Sequence, residues 1–405
     1  MNDRVNYFLN APRRLRLASS EKHVGRIRFS RSEVRRAAFG PPPRGPLDFH
    51  RGLPGYAPSP VRAAPRLAER LGLARVWVKD ESSRLGLPSF KILGASWATG
   101  RALAARLGLD ARSAPSLAAL RDGVPGLGLV AATDGNHGRA VARVARWLGL
   151  PAAIYVPAGT AAARIRAIAE EGARVIEVDG SYDETVERAA AAQDARSILI
   201  QDHAWPGFEE VPRWVIEGYA TIFWEADRQL TDEPRLDLVL VQVGVGALAA
   251  AAVDHYRRPD LAARPALASV EPTGAACALA SIEAGRIVTV PAGAHSSIMA
   301  GLNCGTPSSV AWPALEGGID VFLAVDDERS REGVRALAED GIVSGESGAA
   351  GAAGLLELLE SPEAGAARKR LGLDRDARVL LISTEGATDP ALWQRIVGRA
   401  PERAA

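Results

Sequence analysis

The chain has 405 residues, of which 47% are hydrophobic and 24% charged, and a net charge of +1 at pH 7. This length and composition suit a soluble globular protein of two or three domains, or one two-lobed enzyme. The near-neutral charge excludes a large electrostatic nucleic-acid footprint, and the two cysteines, Cys277 and Cys304, exclude a disulfide framework and lack metal-ligand spacing.

The N-terminal stretch is basic and carries no apolar signal-peptide core, so the expected location is the cytoplasm, with both thiols reduced. Residues Phe39–Pro65 are rich in proline and are expected to wrap a surface before the first strand. From there, β-branched runs predict strands at Arg75–Lys79, Leu127–Ala132, Ala152–Val156, Arg174–Val178, Ile198–Gln201, Leu238–Val243, Ala266–Val270, Val321–Val325 and Val379–Ser383. Helical patterns fill the gaps at Phe90–Leu107, Gly138–Leu148, Ala161–Glu171, Val211–Gln229 and Glu332–Asp340. Alternation of this kind predicts an α/β fold with mostly parallel sheet. The longest apolar run, Leu236 to Val253, is broken by Asp237, Gln242, Gly244 and Gly246, which argues for strand, turn and helix rather than a membrane span. No flexible linker interrupts the chain. The expectation is a large lobe of residues 1–95 and 198–405, a small lobe of residues 96–197, and a ligand in the cleft at the carboxyl ends of the strands.

Only four of the 49 basic residues are lysines: Lys22, Lys79, Lys91 and Lys369. A primary amine can lose its proton and form a Schiff base, which a guanidinium cannot. Lys22 and Lys369 lie in polar basic surroundings and read as solvated cations, and Lys79 ends a strand. Lys91, in Ser89-Phe90-Lys91-Ile92-Leu93-Gly94, stands where a loop enters an apolar helix and is the candidate reactive amine.

Three strand-to-helix turns carry chemistry. The first runs from Lys79-Asp80-Glu81-Ser82 to Lys91. The second is Thr133-Asp134-Gly135-Asn136-His137-Gly138, and the third Gly244-Val245-Gly246-Ala247. Glycines let main-chain N–H groups approach an anion, and a helix N-terminus adds favourable potential. A phosphate at Gly244 and Gly246 with an aldehyde at Lys91 describes pyridoxal 5'-phosphate. Asn136 would then meet the ring's phenolic oxygen, and Thr384, after the last strand, its pyridine nitrogen.

With these motifs in hand, the chain resembles the fold-type II pyridoxal phosphate enzymes of the tryptophan synthase β-like group, and more closely the diaminopropionate ammonia-lyases. Further matches are Gln201-Asp202 with Ala204-Trp205, Ile298-Met299-Ala300-Gly301-Leu302, Ser344-Gly345-Glu346-Ser347-Gly348 and Thr384-Glu385-Gly386, so that the resemblance spans residues 79–386. It implies two lobes of mostly parallel twisted sheet flanked by helices, a homodimer, a Schiff base at Lys91, and β-elimination from 2,3-diaminopropionate to pyruvate and ammonia. It implies further that Thr133 and Asp134 lie beside the substrate carboxylate, where related dehydratases place a serine at position 134. Lys91 and Asp134 would then act as bases for the two enantiomers. An acid at 134 suits a substrate with an extra ammonium, and Asp202 is a second acid for the C3 amine. Two departures from the family pattern stand out: Ala247 and Ala250 in the phosphate loop, and His203 after Asp202.

Structural readings compete with these roles. Asp134 and Asp202 also suit turn or capping positions, Asn136 a left-handed turn, Thr384 a strand end, and His137 and the cysteines packing. Three other functions compete as well. Gly244-Val245-Gly246-Ala247-Leu248-Ala249 with Glu271 fits an NAD(P)-dependent oxidoreductase. A serine/threonine dehydratase of the same fold, or a carrier that binds the cofactor without turnover, would fit the pyridoxal motifs.

Overall fold

The computed structural model describes residues 25–30, 44–109, 116–123, 126–133, 135–180, 182–233, 235–291 and 297–401. Asp134 and Lys22 lie outside the described residues. Among those described there are eleven strands: β1 Arg26–Phe29, β2 Val61–Ala63, β3 Arg75–Asp80, β4 Gly128–Ala132, β5 Ala152–Pro157, β6 Arg174–Val178, β7 Ser197–Leu199, β8 Leu238–Gln242, β9 Ala266–Pro272, β10 Val321–Val325 and β11 Arg378–Ser383. The nine predicted strands all form, each within two residues of its expected ends. No helix among the described residues is long and apolar enough to cross a membrane.

Seven strands make one sheet in the order β1-β10-β9-β8-β11-β3-β2, and four make a second in the order β6-β5-β4-β7. The interior of the larger sheet is parallel, while β1 and β2 close its edges antiparallel. The smaller sheet is parallel throughout. Parallel strands are covered on both faces, so they read as unbroken apolar runs. β8 is the clearest case. Its residues are all buried, with Val239 and Val241 packed into one core and Leu238 and Leu240 into the other. The first of these cores continues into the smaller sheet through Leu129, Ala131 and Ile154, so one apolar body joins the two sheets.

Two elements correct the expectation for the proline-rich stretch, which is not merely a surface wrap. Gly45–Arg51 is helical and Val61–Ala63 forms edge strand β2. β7, Ser197–Leu199, belongs to the smaller sheet, which therefore extends two residues past the expected lobe boundary at residue 197.

Helix Lys91–Arg106 is drawn tightly against helix Glu210–Gln229 by two glycines. A Cβ on Gly94 would come within 2.6 Å of the Tyr219 ring, and one on Gly218 within 2.7 Å of the Leu93 carbonyl oxygen. The loop that delivers Lys91 is anchored by a buried ionic cluster. Arg84 donates to both Glu81 and Glu225, and Lys79 Nζ donates to Glu225 Oε2 at 2.7 Å and to the Ser59 carbonyl at 2.6 Å. Burial by itself pushes the Glu225 carboxyl up, but hydrogen bonds and charge from Arg84, then Lys79, hold it well below the carboxylate range. Removing the guanidinium leaves two carboxylates buried without their main partner. Arg84→Met is therefore expected to destabilise the fold by about 3–5 kcal/mol, read from the urea midpoint. A loss below about 1 kcal/mol would mean that the cluster is solvated and not an anchor.

Candidate functional site

The carboxyl ends of β3, β4, β8 and β11 converge on a cavity of about 370 Å³, a size suited to a small cofactor with its substrate. Lys91, Thr133, Asn136, Asp202, Gly244, Gly246 and Thr384 all line it, although they come from segments far apart in the chain.

Lys91 opens its helix. Its loop is held to the end of β11 by the Phe90 N–H donating to the Thr384 carbonyl at 3.2 Å and by a bridge between Ser89 and Glu385. Lys91 Nζ donates to Asp202 Oδ2 at 2.7 Å. Asp202 is buried, and burial would raise its carboxyl. The charges of Lys91 and His137, the hydrogen bond from Lys91 and the charge of His203 outweigh that and hold it far below the usual range. The site therefore holds an amine with a permanent anion at its side.

The second turn is ordered by Thr133. Its Oγ1 accepts the N–H groups of Gly135 at 2.9 Å and Gly138 at 3.0 Å, which starts helix Asn136–Leu148. The expected substrate contact of Thr133 is thus left to its hydroxyl hydrogen. A Cβ on Gly138 would sit 2.3 Å from Thr133 Cγ2, so only glycine permits this turn. His137 Nε2 donates to the Ile200 carbonyl at 2.8 Å, and its Nδ1 lies 4.0 Å from Asp202 Oδ2, a tie between β4 and the chain beyond β7.

The third turn presents main chain. Gly246 caps helix Ala247–Tyr256 at φ 96°, and among the described residues no side chain caps the first-turn N–H groups, in keeping with Ala247 where the family pattern has serine. A Cβ on Gly244 would lie 3.2 Å from the Gly301 carbonyl oxygen and from Cys304 Sγ. Uncapped amides at a helix N-terminus favour an anion. Gln242 Nε2 holds the adjoining wall by donating to the carbonyls of Ser347, Gly348 and Ile382.

Glu271 cannot serve the dinucleotide reading as proposed. It is buried, and its two carboxylate oxygens accept the N–H groups of Ala278 and Leu279 at 2.7 and 2.8 Å, capping helix Cys277–Ala284. The residues present fit pyridoxal phosphate instead: an amine, an uncapped helix start, an amide and a hydroxyl surround one cavity. Sequence reasoning missed the lining residues Tyr182, Tyr219, Ser347 and Glu385. Ser347 and Glu385 stand inside quoted motifs, whereas the two tyrosines carry no local signal. Gln201 Nε2 donates to Tyr182 Oη at 3.1 Å, which fixes that ring at the cavity wall.

Comparison with known proteins agrees with this chemistry. The family model for pyridoxal-phosphate dependent enzymes matches residues 53–385. A diaminopropionate ammonia-lyase of Salmonella typhimurium is 39% identical over 87% of this chain and 90% of its own. The crystal structure of the holo diaminopropionate ammonia lyase of Escherichia coli superposes with a TM-score of 0.82 at 34% identity, covering 92% of this chain and 96% of that one. A biosynthetic L-threonine dehydratase of Corynebacterium glutamicum is 32% identical, over only 58% of this chain.

Proposed function

The chain belongs to the pyridoxal-phosphate dependent enzymes and, among them, to the diaminopropionate ammonia-lyases, and we infer from its site that it eliminates ammonia from 2,3-diaminopropionate through the amine of Lys91. The observation that carries this reading is the 2.7 Å pairing of Lys91 Nζ with buried Asp202 inside a cavity that the glycine turn at 244–246 also lines.

When bound, pyridoxal phosphate supplies an aldehyde and an electron sink. Lys91 would supply the amine for the aldehyde, and the main chain of residues 244–247 would hold the phosphate. Asn136 would hold the phenolic oxygen and Thr384 the pyridine nitrogen. A neutral hydroxyl at that nitrogen would limit carbanion build-up and favour elimination over transamination. With the substrate in place, the Lys91 amine would take the Cα proton from one face. Asp134, placed by the family resemblance beside the substrate carboxylate, takes it from the other, so both enantiomers react. Asp202, no longer neutralised by Lys91, receives the C3 ammonium. Its burial strengthens that attraction and lets the same carboxylate steer the departing ammonia. Water completes the conversion to pyruvate and two ammonia molecules.

We also assign residues 96–197 to a small lobe and the remainder to a large one, and place the protein in the cytoplasm as a homodimer. The family resemblance supports the lobes and the dimer, the basic N-terminal stretch without an apolar core supports the cytoplasm, and light scattering of the purified protein tests the dimer.

The function is tested by the visible spectrum of purified protein with added D- or L-2,3-diaminopropionate and pyruvate assayed alongside. A yellow protein that forms pyruvate from both enantiomers is expected. Turnover of one enantiomer alone would leave only one of Lys91 and Asp134 as a base, and Asp134→Asn, if it abolished that turnover, would name Asp134 as the one. Activity on serine or threonine but not on the diamino acid would make it a dehydratase, and bound cofactor without any turnover a carrier. A colourless protein after addition of pyridoxal phosphate would end the cofactor reading.

A further inference from the structure

Two buried acids take no part in this scheme: Glu385, which lines the cavity beside Thr384, and Glu346, which does not line it but adjoins the lining residue Ser347. Glu385 follows Thr384 beyond β11, and its backbone is pinned from two sides. It bridges to Ser89, and its carbonyl accepts the Gly345 N–H at 3.0 Å. A Cβ on Gly345 would fall 2.4 Å from the Gly386 carbonyl oxygen and 3.2 Å from Glu385 Oε1. The bare main chain of residue 345 therefore makes room for this carboxylate. Its second oxygen, Oε2, accepts a hydrogen bond from Asn136 Nδ2 at 2.5 Å, reaching across from β11 to the helix that follows β4.

A carboxylate can only accept, so it compels the nitrogen end of the Asn136 amide to face it. That nitrogen carries a second hydrogen, which remains for an acceptor in the cavity. An unrestrained asparagine could rotate and present its oxygen, which repels an anionic ring oxygen. Glu346 follows Gly345 directly in the chain and is 2% exposed, and among the described residues its Oε1 has no hydrogen-bond partner. Burial pushes its carboxyl up to about 7, its own backbone N–H opposes that, the charges of Glu385 and Asp389 add to it, and Arg164 pulls the other way.

We propose that Glu385 is a positioning residue for the cofactor: it turns the amide nitrogen of Asn136 toward the ring's phenolic oxygen, and Glu346 adjusts that hold through its own charge. The proposal rests on the cofactor reading above. Below neutrality Glu346 is uncharged and Glu385 keeps Asn136. As pH rises through about 7, a second anion appears beside Glu385 and near an anionic cofactor, and the grip on both weakens.

The experiment compares wild type, Glu385→Gln, Glu346→Gln, Asn136→Ala and the Glu385→Gln/Asn136→Ala double variant as holoenzymes. It reads the dissociation constant of pyridoxal phosphate and the pH midpoint of the visible band. Glu385→Gln is expected to weaken the cofactor by roughly tenfold, the worth of one charge-assisted hydrogen bond, and to displace the midpoint. It should add little in the Asn136→Ala background, because the two residues act as one unit. Glu346→Gln should match wild type at pH 6 and lack its loss of affinity at pH 8. Wild-type affinity and midpoint in Glu385→Gln, or full additivity with Asn136→Ala, overturns the proposal. If Glu385→Gln does not fold, an unchanged pH dependence in Glu346→Gln overturns it instead. Borohydride fixation at Lys91 separates the two levels: fixation in wild type with these failures sinks this proposal alone, and no fixation in wild type sinks the cofactor reading with it.

Discussion

Lys91→Ala is expected to yield a folded protein with no borohydride-reducible cofactor and a kcat for 2,3-diaminopropionate at least about 10⁴-fold below wild type. No other described lysine can replace it. Lys79 is fully buried and donates to Glu225, Ser59 and Gln229. Lys369 is exposed on helix Ala364–Leu371. Lys91→Arg makes the sharper comparison, because it keeps a cation for Asp202 but removes the nucleophilic amine. It should lose the fixed cofactor as completely as alanine does while retaining more thermal stability. Mass spectrometry of borohydride-treated protein reads both variants, and reducible cofactor persisting in either would show that another group carries it.

The second large effect belongs to Asp202→Asn. Asparagine fills the same space without charge, so Lys91 and the substrate's C3 ammonium both lose a buried anion. Removing one partner of such a pair costs about 3–5 kcal/mol, which predicts kcat/KM for diaminopropionate lower by roughly 10²–10⁴-fold. Serine has no second ammonium, so its slower turnover should fall less. The ratio of the two kcat/KM values thus isolates the substrate contact from the Lys91 contact. Equal losses for both substrates would leave Asp202 as a residue that only orients Lys91. No change for either would remove it from the site.

How far the sequence reached can be judged element by element. Strands such as β8 and β10 were legible because they are covered on both faces and written as unbroken apolar runs. β1 and β2 were not, since they are edges of four and three residues whose stability comes from antiparallel partners, Val321–Ala324 and Trp77–Lys79. Helix Gly45–Arg51 was hidden in a proline-rich stretch, where proline at the first turn starts a helix as readily as it breaks one.

In the site, Lys91, Asn136, Gly244 and Gly246 announced themselves because a strand-to-helix turn with glycine or a rare residue type is a local signal. Thr133 was expected beside the substrate, and the capping bonds it makes to Gly135 and Gly138 depend on the folded turn. Tyr182 and Tyr219 have no such signal, for each is an ordinary helical tyrosine until the fold brings Gln201 to the one and Phe90 and Gly94 to the other.

The sequence by itself determined the alternation of strands and helices, the reactive amine, the anion-binding turn and the family. Each of these is written in residues close together along the chain, as local conformational preference or as a residue type of restricted chemistry. Only the tertiary structure decided which acids meet which partners. The pairing of Lys91 with Asp202 joins residues 111 positions apart, and that of Asn136 with Glu385 residues 249 apart. A charge in a sequence has no partner and no dielectric. Both come from the apolar core that joins the two sheets, which buries these carboxylates and sets the distances at which they act.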